Sequence, residues 1–150
     1  MTRLLFVCSG NITRSPAAAA LAEQQGLELA RELEVRSAGT LRIEGSPAHG
    51  QMAAVARQAG LDLSTHRSQG LTADLLHWAD FVAAMEPEHL DAIERLVPEA
   101  RSRSRGLGAY VGRAMIEDPT GSWFAGPYRR TFEELEVAVE RFLFDVLRAR

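Results

Sequence analysis

The stretch FVCSGNITRSPAAAA, Phe6 to Ala20, constrains the fold more than any other part of the chain. The apolar run Leu4 to Val7 leads into a Gly10–Asn11 turn signal and reads as a buried strand. Ser15-Pro16 then opens AAAALAEQQGL, where proline in the first turn followed by strong helix formers marks a helix N-terminus. Cys8, the only cysteine in 150 residues, therefore lies at the C-terminal end of a strand. Ser9 to Arg14 form a loop that runs onto a helix.

The same alternation continues along the chain. Glu34 to Ala38 reads as a second strand stopped by Gly39. Ala48 to Ala59 reads as a helix closed by Gly60, Thr72 to Trp78 as a short helix, and Asp80 to Met85 as a third strand. Glu88 to Leu96 reads as a helix that stops near Pro98. A fourth strand is expected before Asp118, although RSRSRGLGAYVGRAMIED is a poor strand pattern. Thr131 to Arg148 reads as a long amphipathic helix, with Phe132, Leu135, Val139, Phe142 and Leu143 at core spacing. Strands alternating with helices predict an α/β fold on a parallel sheet. No repeat, low-complexity linker or second domain is visible, so residues 1–150 are expected to form one domain. In such sheets ligands bind beyond the C-terminal strand ends, where Cys8 and its loop are placed.

Composition excludes several classes. The chain is 46% hydrophobic and 25% charged, within the range of globular proteins. The net charge of −3 gives no reason to expect nucleic acid. One cysteine allows no internal disulfide and no cysteine-based metal cage. The N-terminus is too short in apolar residues for a secretory segment, and no stretch approaches a membrane span. A cytoplasmic location is the expectation.

The loop carries the chemistry. Backbone N–H groups from Ser9 to Arg14, backed by the positive end of a helix dipole, make an anion site of phosphate size. Gly10 and Asn11 can take the left-handed backbone angles such a nest needs. Arg14 can fork onto two anion oxygens. The same field favours the thiolate of Cys8, and the Ser15 hydroxyl can donate to the sulfur. A thiolate at the base of a phosphate site points to attack on phosphorus, a cysteinyl-phosphate, and its hydrolysis by water. Asp118, with its backbone held by Pro119, is the candidate general acid, with the reverse role when water attacks. With 17 arginines in the chain, an arginine six residues after a cysteine is weak evidence alone. The strand, turn, Ser-Pro and helix around the pair give it weight.

VCSGNITRSPAA resembles the phosphate loop of the low-molecular-weight protein tyrosine phosphatase family. Nearly the whole chain shares the resemblance: Ser37 to Thr40 (SAGT), Leu61 to Leu71 (LDLSTHRSQGL), Asp118-Pro119 and Tyr128 to Leu135 (YRRTFEEL) follow in the family's order. The resemblance implies a four-stranded parallel sheet with helices on both faces, no metal and no organic cofactor. It implies Cys8 as nucleophile, Arg14 as phosphate clamp, Ser15 as the thiolate's partner and Asp118 as acid. Ser9, Gly10, Asn11, Ile12, Thr13 and Arg14 would form the phosphate loop, and Asn11, Ser37 and His66 a network that holds its shape. Phosphorylated protein would be the substrate, with inorganic phosphate or other oxyanions as product or inhibitor.

Three departures from the family stand out. Thr13 occupies the place of a second loop cysteine. The segment after SAGT lacks the usual aromatic residue, so Leu41 and Ile43 are left to wall the cleft. Thr120, Trp123 and Phe124 follow Asp-Pro in place of tyrosines. Trp123 and Phe124 are candidates for the missing wall, with packing on the core as the alternative.

Ile12 bears on the substrate. An arginine-phosphate phosphatase branch resembles this chain after Asp-Pro, and it typically carries threonine at the place of Ile12. A branched apolar side chain suits a flat aromatic ring, which favours phosphotyrosine. Arsenate reduction coupled to thioredoxin would need relay cysteines that the chain lacks. A non-catalytic phosphate-binding module would be expected to have lost Cys8 or Asp118. His49, His77 and His89 read as surface residues, Arg101 to Arg105 as a solvated loop, and Trp78 as core. Nothing in the sequence specifies the oligomeric state.

Overall fold

The structure is a computed structural model and describes residues 1–148. The chain alternates strands and helices: β1 (Thr2–Cys8), α1 (Arg14–Glu28), β2 (Leu33–Gly39), α2 (Gly50–Gln58), α3 (Ala73–Trp78), β3 (Phe81–Ala84), α4 (Pro87–Leu96), β4 (Ser104–Gly106) and α5 (Ala125–Leu147). All strand pairs are parallel and the order is β2-β1-β3-β4. The single α/β domain with a four-stranded sheet is as expected.

β1 is central, and its apolar run is buried on both faces as a parallel strand requires. Its side chains alternate. Leu4, Phe6 and Cys8 face a core built with α1, α2 and α5. Leu5 and Val7 face a second core closed by α3 and α4. Phe142 of α5 meets Phe6 edge-on at 5.7 Å and Tyr110 at 6.1 Å. The sheet order reverses between β1 and β3, so a crevice opens at their C-terminal ends. Cys8 is on one side of it, and Glu86, which precedes α4, is on the other.

Four expectations are corrected. Helix α5 begins at Ala125, six residues before Thr131. Gly126 and Pro127 have weak helix propensity, yet proline is tolerated in a first turn, where its missing N–H would have no helical partner. Tyr128 is fully buried there and stacks on His49, 4.9 Å between centroids. The fourth strand is only three residues, Ser104–Gly106, and overlaps the end of the Arg101 to Arg105 run expected as a solvated loop. Ser104 is buried with its hydroxyl donating to the Ala100 carbonyl at 2.7 Å, and Arg103 Nη1 donates to the Ala79 carbonyl at 2.6 Å. Trp78 sits half-buried at the rim rather than in the core, with the Arg36 guanidinium 4.3 Å from its ring centroid. His49 caps α2, its Nδ1 accepting the Gln51 N–H at 3.2 Å, while His77 is on the surface as expected, 3.7 Å from Glu99. Among the described residues no helix is long and apolar enough to cross a membrane.

Candidate active site

A cavity of about 190 Å³ opens at the end of β1. Cys8, Ser9, Gly10 and Arg14 of the loop are among its lining residues. Ile12, Leu41 and Ile43 contribute apolar side chains to its lining, and Thr13, Asp118 and Thr120 contribute polar ones.

The loop is a nest because its carbonyls are turned outward. The Cys8 carbonyl accepts the Thr40 N–H at 3.0 Å, that of Ser9 the Leu41 N–H at 2.9 Å, and that of Ile12 the His49 N–H at 2.9 Å. The Asn11 carbonyl is bonded to His66 Nε2 at 2.7 Å. In a trans peptide the C=O and the next N–H point opposite ways, so the amides of Ser9, Gly10, Ile12 and Thr13 face inward. Within the loop Asn11 alone takes the left-handed conformation, at φ 56°. Gly10, which could also have done so, does not, because the one reversal at Asn11 is enough to curl the loop.

Two donors converge on the sulfur. The Asn11 N–H lies 3.2 Å from Cys8 Sγ, and Ser15 Oγ lies 3.0 Å from it. Asn11 Nδ2 donates to Ser15 Oγ at 2.8 Å, which leaves the serine hydrogen for the sulfur. Asn11 Oδ1 accepts the Gln69 N–H at 2.9 Å. Ser37 joins this network through its carbonyl, which accepts from Gln69 Nε2 at 3.0 Å.

Arg14 is 1% exposed. Its Nη1 donates to the Ile116 carbonyl and to Glu86 Oε2, each at 2.7 Å. Its Nη2 is buried without a hydrogen bond, and Asp118 Oδ2 stands 3.7 Å away. An unpaired buried guanidinium N–H costs free energy until an acceptor arrives, and an oxyanion in the nest supplies one. The Asp118 side chain is 41% exposed, with Oδ1 accepting the Thr120 N–H at 3.0 Å.

Sequence reasoning missed Glu86, His89 and Gln69. His89 was expected on the surface but is 2% exposed. Its Nδ1 accepts the Glu86 N–H at 3.0 Å, so Nε2 carries the hydrogen that goes to Ser9 Oγ at 2.9 Å. Burial first, and then the nearby Arg14 charge, push its pKa down to about 4, so the ring is neutral. The available signal was Glu86-Pro87 at a strand end. Trp123 and Phe124 neither line the cavity nor pack on the core, being 89% and 76% exposed.

The family model for low molecular weight phosphotyrosine protein phosphatase matches residues 3–150. The chain belongs to that family. As a low-molecular-weight phosphatase it is a hydrolase. It is 39% identical over 144 residues to the protein-arginine-phosphatase of Geobacillus stearothermophilus, covering 93% of this chain and 92% of the relative. The solved low molecular weight protein tyrosine phosphatase from T. tengcongensis superposes with a TM-score of 0.90 at 32% identity, over 97% of this chain and 99% of that one. Wzb of Vibrio vulnificus, solved in complex with benzylphosphonate, gives a TM-score of 0.87 at 27% identity, over 96% and 98%. This phosphatase thus has relatives named for two phosphorylated side chains, tyrosine and arginine.

Proposed function

We propose that the protein hydrolyses phosphotyrosine in protein substrates through a cysteinyl-phosphate. The observation that carries this reading is that the apolar side chains of Ile12, Leu41 and Ile43 line the same cavity as Cys8. An aromatic leaving group packs against such a lining. The Cys8 thiolate forms the S–P bond while the P–O bond to tyrosine breaks. Asp118 passes its proton to the leaving phenol oxygen, and the inward amides and Arg14 Nη2 hold the phosphoryl oxygens. Water then attacks phosphorus, Asp118 takes its proton, and the S–P bond breaks to release inorganic phosphate. A catalytic thiolate with no second loop cysteine suits the reducing cytoplasm.

Phosphoarginine is the second reading, favoured by the 39% identity with an arginine phosphatase. Turnover of phosphotyrosine, phosphoserine and phosphoarginine peptides, side by side, separates the two. Phosphotyrosine is expected to give the highest kcat/KM, and a preference for phosphoarginine overturns the first reading. In the same assay Cys8→Ser is expected to abolish turnover while leaving phosphate binding largely intact. Residual activity within about tenfold of wild type removes Cys8 from the nucleophile's role.

A further inference from the structure

Thr13 occupies the N-cap of α1, where a threonine hydroxyl commonly accepts a first-turn N–H. Here it makes no capping bond. Its Oγ1 instead lies 2.7 Å from Thr120 Oγ1, two residues beyond Asp118. The segment between the 3₁₀ turn Leu107–Val111 and α5 contains no helix or strand. Its Ile116 is fastened to the residue that follows β3 by its N–H on the Met85 carbonyl at 2.9 Å. Asp118 lies further along, on the solvent side of that fastening. The Thr120 N–H in turn donates to Asp118 Oδ1 at 3.0 Å. The hydroxyl pair and the amide form one continuous path from the phosphate loop to the carboxylate.

We propose that Thr13 and Thr120 are positioning residues that hold Asp118 over the Cys8 nest for proton transfer. The proposal rests on the reading of Asp118 as general acid. The two hydroxyls bond to each other, while the sulfur is hydrogen-bonded to Asn11 and Ser15. The bond between the hydroxyls ties the acid's loop to the nucleophile's loop, so that the carboxyl oxygen aimed at the leaving group stays in reach. Thr13 is 4% exposed, so its end of the pair is fixed by packing, whereas Thr120 is exposed and held by the bond itself. Proton transfer depends steeply on such placement.

The test compares kcat/KM, which reports phosphoryl transfer to Cys8, on a phosphotyrosine peptide and on p-nitrophenyl phosphate, whose acidic leaving group needs less protonation. Thr120→Val is expected to lower the peptide value about three- to tenfold, the scale of one hydrogen bond, and the p-nitrophenyl value by clearly less. Thr120→Ser should restore both. Thr13→Val combined with Thr120→Val should lose no more than Thr120→Val alone. In an Asp118→Asn background Thr120→Val should cost nothing further. Thr120 is a surface residue, so this variant folds even where Thr13→Val does not. Wild-type activity in Thr120→Val, or an equal loss on both substrates while Asp118→Asn discriminates between them, overturns the positioning role and leaves the acid reading standing. If Asp118→Asn itself shows no leaving-group dependence, the acid reading falls and the positioning role falls with it.

Discussion

Ile12 is the residue whose chemistry separates the two substrate readings. Its side chain lines the cavity with those of Leu41 and Ile43, and none of the three offers a polar group to a guanidinium. Leaving a polar group unpaired there costs about 1–3 kcal/mol, or roughly ten- to a hundredfold in rate. Ile12→Thr is therefore expected to lower kcat/KM on phosphotyrosine relative to phosphoarginine. The ratio for the two peptides in both proteins is the measurement. An unmoved ratio takes the selector role away from Ile12.

Among the elements, β2 shapes the site by how closely its end approaches the loop. A Cβ at Gly39 would stand 2.5 Å from the Ser9 carbonyl oxygen, 2.8 Å from the Asn11 nitrogen and 2.9 Å from the Gly10 carbonyl carbon. All three are backbone of the nest and cannot swing aside as a flexible side chain can. Gly39→Ala should thus open the loop, destabilise the protein by about 1–3 kcal/mol, and weaken phosphate binding with activity. Gly50→Ala, at the start of α2 where an added Cβ meets nothing within 4 Å, is the control. Calorimetric binding of inorganic phosphate reads the difference. Unchanged affinity in Gly39→Ala would mean the loop tolerates the displacement.

At the scale of the whole molecule, His89 couples the two sides of the crevice: it bonds to Ser9 of the loop and to the Glu86 backbone before α4. Folding lowers its pKa from the usual 6.5 to about 4, through burial and then Arg14. The folded ring therefore refuses a proton that the unfolded chain accepts below about pH 6.5. Its contribution to stability is complete above that value and is lost progressively as pH falls towards about 4. His66, also shifted down chiefly by burial, acts in the same direction. The urea midpoint of the wild type should fall more steeply between pH 7.5 and 5 than that of His89→Gln. Parallel curves would show that His89 titrates freely in the folded state.

The loop from Cys8 to Ser15 was legible in the sequence because its contacts are local. Asn11 and Ser15 reach the sulfur from three and seven residues away, so residue type and spacing carry the geometry. The strand and helix periods likewise placed β1, β2, α2, α3, β3 and α4 to within a few residues. What the tertiary structure decided is everything that arrives from a distance. His89 meets Ser9 across 80 residues and Gln69 meets Asn11 across 58. Neither pairing has a local pattern, because a buried polar contact depends on what the sheet order brings alongside. The early start of α5 follows the same rule, since burial of Tyr128 against His49 outweighs the weak helix propensity of Gly126-Pro127. A three-residue β4 carries too few side chains to show a strand period, and only its pairing with Val82, Ala83 and Ala84 makes it one.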